Sequence, residues 1–181
     1  NLPAGTHNYT VTDDNGCTYT DNVTITEPPA ISVSTVITDI TCYQNDDGTA
    51  TLTLTGGTGT LTVDWFGMDP NNLPPGTHSY TVTDDNGCTY TNNVTIIEPA
   101  ELLATSTITN VTCNTGNNGT ATLTLTGGTG TLTADWFGMD PNNLPAGTHN
   151  YTVTDDNGCT YTDNVTITEP PAISVSTVIT D

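Results

Sequence analysis

Five cysteines are the residues most able to do chemistry in this chain, and the chemistry open to them is disulfide formation. Cys17, Cys88 and Cys159 follow one another at a fixed interval, and Cys42 and Cys113 repeat it (88 − 17 = 159 − 88 = 113 − 42 = 71). Three pairings are open: Cys42 with Cys159, joining successive repeats; Cys42–Cys88 with Cys113–Cys159, each inside one repeat; or bonds between chains. Strand geometry favours the first. If the opening strand of a repeat runs down to Cys42 while Cys88 follows the hairpin at the other end, seven extended residues place them roughly 23 Å apart. A disulfide needs Cα atoms within about 7 Å. The foot of one repeat instead faces the head of the next.

Other reactive side chains are sparser. His7, His78 and His149 occupy one repeat position and have no neighbouring Cys or His in sequence, so they read first as strand-edge residues, with a metal-ligand role as the lesser alternative. The acidic turns at Asp13-Asp14-Asn15, Asp84-Asp85-Asn86 and Asp155-Asp156-Asn157 offer oxygen ligands for Ca²⁺, with Asp46 and Asp47 available from a neighbouring repeat. Calcium takes six to eight oxygens, however, and no EF-hand spacing occurs. Hairpin-turn chemistry explains Asp-Asp-Asn-Gly without a metal. Seven Asn-x-Ser/Thr sequons, at Asn8, Asn22, Asn93, Asn110, Asn118, Asn150 and Asn164, are candidates for glycosylation, at about the number that the composition yields by chance. No Gly-x-Ser-x-Gly elbow or other convergent catalytic set is present, so no enzymatic activity and no required cofactor are expected.

Composition narrows the partners. The 181 residues include no Lys or Arg and 20 acidic residues, a formal charge of -20. Nucleic acid and anionic lipid surfaces are bound through basic side chains, so neither is an expected partner. No apolar run approaches the ~20 residues of a membrane-spanning helix. Thr accounts for 44 residues, and its β-branched side chain suits a pleated surface with one face in water.

These residues are positioned by a repeat. Asn1-Leu2-Pro3 returns as Asn72-Leu73-Pro74 and Asn143-Leu144-Pro145, the same 71-residue period. Residues 1–71 and 72–142 differ at twenty positions, clustered in 29–47 against 100–118, whereas 1–39 and 143–181 are identical. Two repeat types therefore alternate, which is expected of a window on a longer periodic array. The boundaries expected are 1–28 for the end of one repeat, 29–99 and 100–170 for two full repeats, and 171–181 for the first strand of another.

Within a repeat the pattern is that of strands. Thr51-Leu52-Thr53-Leu54-Thr55 alternates with period two, placing both leucines toward a core. Leu61, Val63 and Trp65 share one parity, as do Tyr80 and Val82, and Cys88, Tyr90, Val94 and Ile96 share another. Phe66 and Phe137 fall on the opposite parity from their neighbouring tryptophans, as exposed contacts or as packing between repeats. Gly56-Gly57-Thr58-Gly59 and Asp85-Asn86-Gly87 supply turns. The fold class expected is all-β: tandem immunoglobulin-like β-sandwich repeats of 71 residues with about seven strands each, arranged as a linear rod. Trp65 takes the place of the core tryptophan of such folds.

The opening Cys, the Asp-Gly-Thr-Ala-Thr strand entry at 47–51, the Gly-Gly turn, the Trp-bearing strand, Gly-Thr-x-x-Tyr-Thr-Val-Thr-Asp-Asp-Asn-Gly-Cys at 76–88 and the closing Glu98-Pro99 together resemble the SprB-type repeat, named for a large gliding-motility surface adhesin. The loop at 67–76 and the missing Lys and Arg depart from that pattern. The resemblance implies secretion, great length and a surface location, without implying motility. The expected role is a structural segment of a long extracellular fibre or adhesin stalk on a prokaryotic cell surface, its partners being other copies of the same repeat or chain in a filament. The alternative is a glycan- or partner-binding adhesin module.

Overall fold

In the computed structural model, which describes residues 1–179, twelve β-strands and no helix are found among the described residues. They are β1 (Gly5–Thr12), β2 (Thr18–Ile25), β3 (Ser32–Thr38), β4 (Thr49–Thr55), β5 (Thr62–Asp64), β6 (Gly76–Thr83), β7 (Thr89–Ile96), β8 (Leu103–Thr109), β9 (Thr120–Thr126), β10 (Thr133–Asp135), β11 (Gly147–Thr154) and β12 (Thr160–Ile167). β1 pairs with β2, β3 with β4 and β8 with β9, while β5-β6-β7 and β10-β11-β12 form three-stranded sheets. A repeat thus holds five strands, not the seven expected. The segments 39–48 and 65–75 run as loops and meet in a bridge between Gly48 and Leu73.

The backbone divides into two compact units, one made of residues 1–37, 50–70 and 77–94, the other of 38–49, 71–76 and the chain from Thr95 onward. In the first unit Ala50, Tyr80, Val82 and Val94 are buried, and the Trp65 ring lies 5.0 Å from that of Tyr80. Val63 shares parity with Trp65 yet is exposed, because β5 is a three-residue strand at the margin of its sheet. Tyr90 is half-buried and Cys88, just before β7, is exposed. The hairpin β1–β2 has no second sheet over it, and its apolar side chains, such as Tyr9, Val11 and Val23, stay exposed.

In the second unit the two-stranded β8–β9 sheet and the three-stranded β10–β12 sheet close on one core. Leu102, Ala121, Trp136, Tyr151, Val153, Val165 and Ile167 are buried there, with Ala104, Leu123 and Leu125 packed against them. The same unit buries Ile40, Leu73 and Ile96 around Gly48, where an added Cβ would lie 2.6 Å from the Ile96 Cγ2. Fully burying a Leu, Ile or Val stabilises by about 1.5–3 kcal/mol. A repeat of this size buries few such side chains, so cross-links weigh heavily in its stability.

Outward faces are lined with Thr, as the strand alternation requires. Cross-strand hydroxyls pair at 3.0 Å for Thr152–Thr162 and for Thr81–Thr91. Hydroxyl pairs of this kind hold neighbouring strands without charge. Residues 171–179 form no strand, and residues 180 and 181 of the strand expected over 171–181 lie outside the described residues. The counterparts β3 and β8 are held by β4 and β9.

Candidate functional site

The junction within the second unit, where residues 39–47 meet the hairpin at 155–159, brings the reactive residues together. Its upper half is built by two carboxylates. Asp155 Oδ1 accepts hydrogen bonds from the backbone N–H of Asn157 at 3.0 Å and of Cys159 at 2.8 Å, and its Oδ2 accepts from Thr129 N–H at 2.8 Å. Asp156 Oδ2 accepts from Thr131 N–H at 2.9 Å. These bonds clamp the Gly-Gly turn at 127–130 onto the hairpin. Gly130 has no alternative here: its φ is 71°, and a Cβ would sit 2.1 Å from the Asp156 Oδ2. Desolvation raises the Asp155 pKa, but the four backbone N–H groups aimed at its carboxylate outweigh that, so the net shift is downward. Asp84 and Asp85 repeat the arrangement on Thr58 and Thr60 in the first unit, and Asp84 is lowered for the same reason.

The lower half is a loop folded around Thr41 and Asp47. The Thr41 hydroxyl and backbone N–H both donate to the Asp47 carboxylate, and these bonds hold its pKa below the ordinary range. Gln44 stands at φ 63° and donates its N–H to Glu98 Oε2 at 3.1 Å, while Ile97 N–H donates to Asp39 Oδ1 at 2.9 Å. The later repeat rebuilds the loop with amides: Thr112 N–H donates to Asn118 Oδ1 at 3.1 Å, and Thr168 N–H to Asn110 Oδ1 at 2.9 Å.

The two halves are joined covalently. Cys42 and Cys159 form a disulfide with Cα atoms 5.6 Å apart, spanning 117 residues of sequence. Beside it the Asn157 side-chain amide donates to the Thr41 carbonyl at 3.1 Å. A cavity of about 360 Å³ flanks the bond, lined by Tyr43, Glu101, Leu102 and Tyr161 among others. Cys88 and Cys113 do not pair within their repeats; with Cys17 they are exposed thiols. Many positions that differ between the repeat types gather at this junction, such as Tyr43 against Asn114, Asp47 against Asn118 and Glu101 against Ala30.

The remaining candidates are dispersed. No group of three or more His, Cys, Asp or Glu side chains is arranged to hold a metal among the described residues. Asp13 accepts from the backbone N–H of Asn15 and Cys17, as Asp84 and Asp155 do at their turns, while Asp14 and its counterparts Asp85 and Asp156 follow one residue later. His7 and His149 bond to the carbonyls of Pro3 and Pro145 at 2.7 and 2.8 Å. Of the sequon residues, Asn8 faces Asn22 and Asn150 faces Asn164 across exposed strand pairs, Asn93 is exposed on β7, and Asn110 and Asn118 are engaged in the loop bonds just described.

One family profile accounts for the core of both repeats: the SprB repeat matches residues 34–65 and again residues 105–136, offset by 105 − 34 = 71. Both segments are thus similar to the SprB repeat. No curated protein and no solved structure matches it. Each matched SprB segment runs from the opening strand through the cysteine-bearing loop and the Gly-Gly turn to the buried or half-buried Trp. The segments therefore contain the lower half of the junction and part of the clamp. The family is typical of cell-surface proteins, and a disulfide is consistent with an oxidising exterior.

Proposed function

We propose that this chain is a structural segment of a long extracellular fibre or adhesin stalk, in which successive SprB repeats are stapled to one another. The observation that carries the reading is the Cys42–Cys159 disulfide, which ties the loop of one repeat to the hairpin of the next and not to its own. A bond within a repeat would stabilise that repeat alone, whereas a bond across the junction transmits load along the chain. The short Glu27-Pro28-Pro29 and Glu98-Pro99 connections support the same reading, since they lack the Gly/Ser composition of a flexible linker. In this role the protein is non-catalytic, needs no resident cofactor, and partners chiefly with further copies of its own repeat.

Electron microscopy of purified material tests the proposal. Stiff filaments with an axial period of one or two repeats are expected, and freely jointed beads would reject it. A second reading, as a partner-binding adhesin module, is favoured by one observation, the exposure of Phe66 and Phe137.

A further inference from the structure

Phe66 and Phe137 are each 63% exposed, although the tryptophan before each is turned inward. Both stand in the left-handed region, at φ 55° and 56°, and each is followed by a left-handed glycine, Gly67 at 87° and Gly138 at 82°. Met68 N–H donates to the Trp65 carbonyl at 3.2 Å and Met139 N–H to that of Trp136 at 3.1 Å, closing both turns. Two consecutive positive φ values inside such a turn are the type I′ pattern, whose first central position suits Asn, Asp or Gly. A bulky aromatic there is strained. The strain is held by Asp64 Oδ1, which accepts from Phe66 N–H at 2.7 Å, and by Asp135 Oδ1, which accepts from Phe137 N–H at 2.8 Å. Asn-Gly would make the same turn more readily and leave no apolar ring in water. The matched family segments, moreover, end at Trp65 and Trp136, one residue before each phenylalanine.

We propose that the Phe66 and Phe137 turns are contact points for a different protein whose surface presents Arg or Lys side chains. The ring at each turn is flanked in sequence by carboxylates, Asp64 and Asp69 around Phe66, Asp135 and Asp140 around Phe137, and is extended by part-exposed Met68 and Met139. An exposed aromatic face on a chain of net charge -20 attracts cations by its quadrupole and by that overall charge. A second copy of this chain cannot supply those cations, because the sequence has no Lys or Arg. The inference goes beyond the structural role and does not depend on it.

The test uses the full chain and the double variant Phe66→Asn/Phe137→Asn, with deca-arginine peptide as probe and calorimetric titration at about 0.15 M salt. Asn-Gly suits the turn, so the variant is expected to fold with an equal or higher thermal midpoint while binding the peptide at least about fivefold more weakly. Equal affinities overturn the proposal, because the variant keeps the same net charge and binding would then be charge alone. A lowered midpoint overturns it too, by making each phenylalanine a packing residue. Sedimentation that finds wild-type self-association, lost in the variant, would reassign the turns to a second copy.

Discussion

Reducing the Cys42–Cys159 bond is the perturbation whose size the structure allows to be worked out. With everything unfolded, the bond closes a loop of 117 residues. The chain-entropy relation then gives about 4.9 kcal/mol of stabilisation at 25 °C. If only the later repeat unfolds, Cys42 remains tied to Glu98 through the Gln44 N–H bond, and the effective loop shrinks to 159 − 98 = 61 residues. The same relation gives about 4.3 kcal/mol, so the result hardly depends on which repeats melt together. Native disulfides commonly deliver about 2–4 kcal/mol, less than this entropy estimate. An unfolding entropy of about 2.1 cal/mol/K per residue over one repeat then converts to a fall in melting temperature of roughly 13–27 °C. The assay is calorimetry with and without a phosphine reductant, on a chain whose Cys17, Cys88 and Cys113 are replaced by Ser to prevent exchange. Cys42→Ser should reproduce the reduced melt. A midpoint that moves by less than about 3 °C on reduction would refute the reasoning, since a staple across the junction could not then be holding either repeat.

Three further outcomes are expected. Asp47, Asp84, Asp140 and Asp155 all have folded-state pKa values below the ordinary 3.8, so their stabilisation is present above that value and is lost as pH falls through the lower folded values; melting temperature should hold between pH 7 and about 5 and drop below about 4, and a midpoint that keeps rising into acid, as relief of charge repulsion alone would give, contradicts this. The Tyr80 hydroxyl is buried without a hydrogen-bond partner, so Tyr80→Phe should be neutral or stabilising in urea unfolding, whereas Tyr80→Ala should cost about 3–5 kcal/mol. Gly130→Ala should destabilise by about 1–3 kcal/mol, measured the same way, because it forces a Cβ onto Asp156 at a left-handed φ.

Much of the fold is written in local pattern. Thr-Leu alternation makes β4 and β9, and Asp-Asn-Gly makes the hairpins at 84–88 and 155–159, because both depend only on side-chain period and on which residues tolerate positive φ. The site is less legible. Asp155 looks like a turn residue, yet half of its carboxylate serves Thr129, 26 residues away, a partner that no local pattern names. The Trp-Phe-Gly-Met turn carries only one of the two residues that mark type I′, so alternation assigns Phe66 to a face of a strand when it lies at the tip of a loop. Val63 misleads similarly: its parity is right for a core, but a three-residue strand is too short to carry it inside.

The chain contains its own control on what sequence alone can decide. Residues 1–39 and 143–181 are identical, and the period that relates them restricts the cysteines to a few pairings whatever the fold. Both copies of the hairpin form, as β1–β2 and β11–β12, with the same register, because turn chemistry and alternation act within one short stretch. Burial follows different rules. Tyr9 is 44% exposed and its identical counterpart Tyr151 only 1%, since a second sheet covers the latter alone. Residues 32–37 lie in strand β3, but the same residues from 174 to 179 form no strand, and Val178 is 86% exposed. A strand is completed by backbone groups on another segment and by an apolar face laid over its own. Those partners lie far along the chain, and only the tertiary structure, which also sets Cys42 beside Cys159, brings them together.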